Sequence, residues 1–109
     1  MRRVLWPALT ALSLIASSAA ADERGRARAL ELFEQSAHAY REGRFQDAVD
    51  LLLEARRLEH EPVLLYDLAR AYEALGKPTE AADAYEAYLA EEPHARDRGA
   101  IEGRIGTLR

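Results

Sequence analysis

The residues best suited to chemistry in this 109-residue chain are its carboxylates and histidines. Glu91 and Glu92 are adjacent, and Glu59/Glu61 and Asp47/Asp50 are close in sequence. Paired carboxylates can share acid–base work when a cleft displaces their pKa values. These pairs fall on helix ends and polar faces, where solvated charge is the ordinary state. Glu80 and Asp83 stand near a helix start, where negative charge complements the helix dipole. His38, His60 and His94 fall on a helix, at a helix end and after a proline. Zinc motifs set two ligands a few residues apart, and these histidines are scattered. The chain has no cysteine, which removes thiolate metal sites, cysteine nucleophiles, disulfides and a lipid anchor on an N-terminal cysteine. It has no phosphate-cradling loop, nucleophile elbow or dinucleotide fingerprint. The sequence therefore predicts no enzyme, no metal and no cofactor.

What must hold these side chains is helical. Hydrophobic residues make up 49% and charged residues 31%, enough for one small domain. Asp22 to Arg28 reads as a charged, flexible segment. Ala29 or Leu30, Phe33, Ala37 and Tyr40 then recur at spacings of three and four, the period of a helix with one apolar face. Glu42-Gly43-Arg44 makes a turn. Phe45 to Glu59 is a second helix, with Ala48, Leu51, Leu52, Ala55 and Leu58 expected inward. Pro62 ends it, because the residue before proline disfavours the α region. A third helix carries Leu65, Leu68, Tyr72 and Leu75. A fourth carries Ala81, Ala82, Tyr85, Tyr88 and Leu89. Gly76-Lys77-Pro78 separates them, with Gly suited to a helix C-terminus and Pro to the first turn of the next. Pro93 closes the unit. Ile101, Ile105 and Leu108 share a face of a fifth helix over about 97–109, which three glycines weaken.

The chain repeats itself. Gly43 matches Gly76 and Ala48 matches Ala81, each 33 residues on. Small residues at Ala69, Gly76 and Ala81 suit close helix approach, and Leu65, Leu68, Tyr72 and Tyr85 fill the space beside them. With Pro93 at the end, this order of residues resembles the tetratricopeptide repeat, whose period is about 34 residues. The resemblance runs from Ala29 to Pro93 and is strongest in the second copy. In the first, Gln35, Ser36 and Ala39 stand where Leu68, Ala69 and Tyr72 stand later.

The resemblance implies an all-α fold, a right-handed superhelical stack of antiparallel helix pairs. Two repeats, about 29–61 and 62–94, would be covered by the C-terminal helix. It also implies a binding groove lined by the first helix of each pair. In register, that assigns Phe33, Ala37 and Tyr40 from the first repeat and Val63, Tyr66, Arg70 and Glu73 from the second. Aromatic residues and Arg are common interface anchors. Tyr66 and Arg70 are expected to matter for binding and little for folding. Family members that clamp a peptide's terminal carboxylate use Lys and Asn in the groove; Phe33, Ala37 and Asp67 depart from that pattern.

The first 21 residues read as a secretory signal. Arg2 and Arg3 supply a basic start, Val4 to Ala16 a short apolar run, and Ala19-Ala20-Ala21 a small-residue cleavage site. Cleavage is expected after Ala21, or after Ala20. An uncleaved membrane anchor is the alternative, although the run is short for a span. Residues 1–21 hold two of the 15 basic residues and none of the 19 acidic ones, so the remaining chain, 22–109, has net charge −6. That sign gives no general attraction for nucleic acid or anionic lipid. The expected partner is a protein or peptide met outside the cytoplasm, in the periplasm or beyond. Self-association or stacking on an envelope assembly through the open repeat end is the alternative. No stable membrane insertion is expected after cleavage.

Overall fold

The computed structural model describes residues 6–109, with side chains from Ser17 onward. The basic start at Arg2 and Arg3 and the first apolar residues, Val4 and Leu5, lie outside the described residues. Five helices follow in order: α1 (Trp6–Arg41), α2 (Phe45–Leu58), α3 (Pro62–Ala74), α4 (Pro78–Glu91) and α5 (Arg98–Leu108). Among the described residues there is no strand, and no helix is long and apolar enough to cross a membrane. The fold is an all-α helical repeat stack, in which α1 packs on α2, α2 on α3, α3 on α4 and α4 on α5.

The two turns inside the pairs are copies of one another. Gly43 and Gly76 have φ of 79° and 73°. These left-handed values suit glycine, which has no Cβ to clash. In the first turn the Gly43 N–H donates to Tyr40 O at 3.0 Å and the Arg44 N–H to Ala39 O at 2.9 Å. In the second the Gly76 N–H donates to Glu73 O and the Lys77 N–H to Tyr72 O, both at 2.9 Å. Each is a Schellman ending, which satisfies helix-terminal carbonyls and reverses the chain. Pro62 and Pro78 open α3 and α4, where a missing N–H costs nothing.

The core is built from small residues where helices approach and from leucines and one tyrosine between them. Leu32, Ala48, Ala55, Ala69, Ala71 and Ala81 are fully buried, and Val49, Leu52, Leu64, Leu65, Leu68, Tyr85 and Leu89 nearly so. Ala81 leaves no room at its position. Ala81→Leu is expected to overpack the α3–α4 seam and cost about 1–3 kcal/mol. Thermal unfolding followed by circular dichroism measures it; an unchanged midpoint would place Ala81 outside the seam.

Several expectations need correction. The segment Asp22–Arg28 is not flexible but part of α1, which continues unbroken through it. Ala, Arg and Glu are good helix formers, and Gly25 costs only about 1 kcal/mol. In α1 the buried stripe is Ala29, Leu32, Ser36 and Ala39, one position off the predicted line, and Leu30 is exposed. Ser36 tolerates burial because its Oγ donates to Phe33 O at 2.6 Å. In α2, Val49 is buried although it was not expected inward, Leu51 is only half-buried, and Leu58, expected inward, is exposed at the end of the helix. Tyr72, expected in the core, is half-buried at its edge, and Pro93 is exposed just past α4. In α5, Ile101 is buried while Ile105 and Leu108 are only partly covered by α4.

Candidate functional site

Helices α1 and α3 are the first members of their pairs, and each packs on its own partner rather than on the other. A cleft runs between them. Three hollows lie along it. The first, about 340 Å³, is bounded by Leu30 and Phe33 of α1, Val63 and Leu64 of α3, and Glu59 and Glu61 before α3. The second, about 270 Å³, has Ala37, Tyr40 and Arg41 on one side and Asp67 and Arg70 on the other, over Ala48 and Leu52 of α2. The third, about 330 Å³, lies among Tyr40, Tyr66, Arg70, Glu73 and Tyr85.

Each residue assigned to the groove from sequence touches this cleft, but not in the same way. Phe33, Ala37 and Tyr40 are half-buried along α1. Tyr40 meets Phe45 edge-on, with ring centroids 5.1 Å apart. The Arg70 guanidinium lies over the Tyr40 ring at 5.1 Å, a cation–π contact that bridges α3 to α1. Val63 is exposed, and Arg70 is exposed although its guanidinium rests on Tyr40.

Tyr66 and Glu73 are different, and here the sequence reading is corrected. Tyr66 packs edge-on against Tyr85 and Tyr88, with centroids at 5.8 and 5.6 Å. It is half-buried by these rings, so it supports the α3–α4 seam as well as bordering the cleft. Glu73 accepts a hydrogen bond from the Tyr85 hydroxyl at 2.6 Å and is paired with Arg104 of α5. The Arg104 guanidinium, then the Tyr85 hydroxyl, hold its carboxyl below the usual carboxylate range. Burial, reinforced by the Glu73 carboxylate, pushes the Tyr85 hydroxyl well above the usual phenol range. Glu73 therefore joins three helices. The spacing of Glu73, Tyr85 and Arg104 in sequence gives no sign of this.

The Glu73 carboxyl gives a signed pH test. A depressed folded pKa stabilises above the unfolded value, and that contribution fades as pH falls through the folded one. Wild type is expected to exceed Glu73→Gln in melting midpoint at every pH above roughly 5, where carboxylates are ordinarily ionised. The gap should close as the pH is lowered toward 3. A gap that is constant with pH would show that the amide fails for reasons of shape rather than charge.

Asp67 is one of the residues that depart from the carboxylate clamp. It is half-buried in the middle hollow, and burial raises its carboxyl despite the nearby Arg70. Of the carboxylate pairs named for acid–base work, Glu59 and Glu61 border the first hollow, and Asp47 and Asp50 line an open hollow between α1 and α2 beside Arg44. Glu91 is tied to Arg56 of α2, which also donates to Glu61 O at 3.1 Å, and Asp47 pairs with Arg44 at 2.9 Å. His38 lies 3.1 Å from the Glu42 carboxylate on the surface. Among the described residues, no group of histidines and carboxylates is arranged to hold a metal ion.

Comparison with known families adds one finding. The family described as "Tetratricopeptide repeat" matches residues 62–100, which span α3, α4 and the start of α5. No curated protein and no solved structure matches the chain.

Proposed function

We propose, from the tetratricopeptide repeat match over residues 62–100, that this chain is a non-catalytic scaffold that holds a protein or peptide segment in the α1–α3 cleft. The repeat itself points to protein interaction. The observation that carries the choice of surface is the cleft between first helices. Backbone there is already satisfied within helices, so the side chains along it are free to read a partner. Arg70 and Val63 stand exposed on its α3 wall. Aromatic and Arg side chains in such a setting supply a large share of interface energy.

The test places a photo-crosslinking residue at Ala37, on the α1 wall, and compares otherwise wild-type protein with Val63→Asp and Arg70→Glu in cells. Val63 is exposed, so Val63→Asp should move stability by less than about 0.5 kcal/mol, and Arg70→Glu should cost about 1 kcal/mol through its contact with Tyr40, which leaves both variants folded. The cross-linked partner should be lost, because an anchor costs about 2 kcal/mol or more, roughly thirtyfold in affinity. A partner that survives both substitutions rules out the cleft. Tyr66 is left intact, since its ring packs against Tyr85 and Tyr88 of α4.

The same proposal includes export. Ala19-Ala20-Ala21 follows a short apolar run and offers a cleavage site. Intact-mass measurement of the protein from its own cells should show a chain beginning at Asp22 or Ala21 in the periplasmic or secreted fraction. Full-length protein in membranes would replace this with an anchored form.

A further inference from the structure

The first hollow of the cleft is unlike the other two. Leu30 is 58% exposed and Val63 49% exposed, both among the most exposed large apolar side chains described. A single exposed leucine needs no explanation. Here the two converge on one hollow of about 340 Å³, beside the half-buried Phe33 and over Leu64. A continuous apolar patch of this kind marks an interaction surface.

Its rim is acidic. Glu59 and Glu61 border it, and neither carboxylate has an ion pair or hydrogen bond among the described residues; Glu61 is engaged through its backbone oxygen alone. Asp67, one turn beyond Val63 on α3, likewise has no ion pair or hydrogen bond among the described residues. Several carboxylates elsewhere are tied to arginines, among them Glu42 and Asp47 to Arg44, Glu73 to Arg104, Asp83 and Glu86 to Arg109, and Glu91 to Arg56, whereas Glu34, Glu54, Glu80 and Glu92 share with Glu59 and Glu61 the lack of an ion pair among the described residues. At this hollow the two carboxylates, Glu59 and Glu61, stand against one guanidinium, Arg26. Further along the cleft the sign changes, at Arg41 and Arg70.

We infer that the first hollow takes a bulky apolar side chain of a polypeptide partner whose neighbouring residue is lysine or arginine. The apolar group sits among Leu30, Phe33, Val63 and Leu64, and the cation faces Glu59 and Glu61. Arg41 and Arg70 disfavour a cation at the far end, so the basic residue lies on the Glu59 side of the anchor. This rests on the cleft reading above and adds to it the chemistry of the ligand.

Selection of random short peptides displayed on phage against the purified protein tests it. Enriched peptides should place Leu, Ile, Phe, Met or Trp within two positions of Lys or Arg. Val63→Asp should weaken a synthetic copy of the winner at least tenfold. The double change Glu59→Gln, Glu61→Gln should weaken it about fivefold at low salt, the size expected for two exposed ion pairs, and flatten its salt dependence. Winners that are acidic, or that ignore the double change, overturn the inference; the cleft reading survives if Arg70→Glu or Val63→Asp still weakens them. If no winner responds to either of those two variants, or the protein captures only further copies of itself, both readings fall.

Discussion

Tyr85→Ala should destabilise the protein by about 3–5 kcal/mol, the range for removing a large buried ring. The ring is 4% exposed, and its edge contact with Tyr66 fills the seam between α3 and α4. Truncation leaves a cavity there and removes one of the two side chains that donate to Glu73, leaving Arg104. A small domain has about 5–15 kcal/mol in all, so the loss should lower the melting midpoint steeply. Tyr85→Phe separates the two causes. It keeps the volume and removes only the hydroxyl, for an expected cost of about 1–2 kcal/mol. Thermal and urea unfolding followed by circular dichroism read both. Equal losses for Ala and Phe would mean that the hydrogen bond, not the packing, is what Tyr85 contributes.

The second large effect is expected at Leu32, the largest completely buried side chain of α1. Leu32→Ala should cost about 2–5 kcal/mol, depending on how far α2 can close over the gap. Leu30 lies two residues away and is 58% exposed. Leu30→Ala should therefore change stability by less than about 0.5 kcal/mol. The pair is a direct reading of the rotation of α1 in the stack. If Leu30→Ala were the damaging one, α1 would turn its other side to α2, and the first hollow would not exist.

The second repeat was legible because its residues leave little choice. Leu65, Leu68 and Ala69 are buried on one face of α3, Ala81 and Tyr85 on the facing side of α4, and Gly76 occupies a backbone state that suits glycine. The first repeat was harder. Ser36 is buried in the position of Ala69, and a hydroxyl in the stripe breaks the hydrophobic pattern although its own helix satisfies it. Periodicity then favoured Phe33, Ala37 and Tyr40, which line the cleft, over Leu32 and Ala39, which fill the core. The unbroken reach of α1 was missed for another reason. A run of alternating charges looks like a solvated linker, yet Arg, Ala and Glu each prefer the helix. The site was legible as a helix face and no further. That Arg70 lies over Tyr40, that Tyr66 is wedged by two rings and that Glu73 is held by α5 all depend on contacts between distant parts of the chain. No local pattern encodes them.

The continuity of α1 has a bearing on what processing would do to the protein. The helix passes through Ala19, Ala20 and Ala21 without a break, and its first turn as it stands holds no acidic residue. Cutting after Ala21 would make a new helix end at Asp22. Asp22 and Glu23 would then lie at the positive pole of the macrodipole, where each carboxylate is worth about 0.3–1 kcal/mol. They would offset the charge of the freed amino group beside them. The remaining helix, 22–41, would be about 30 Å long. Its first seven residues, with Arg24, Arg26 and Arg28 among them, would project ahead of the buried Ala29 as a two-turn charged arm.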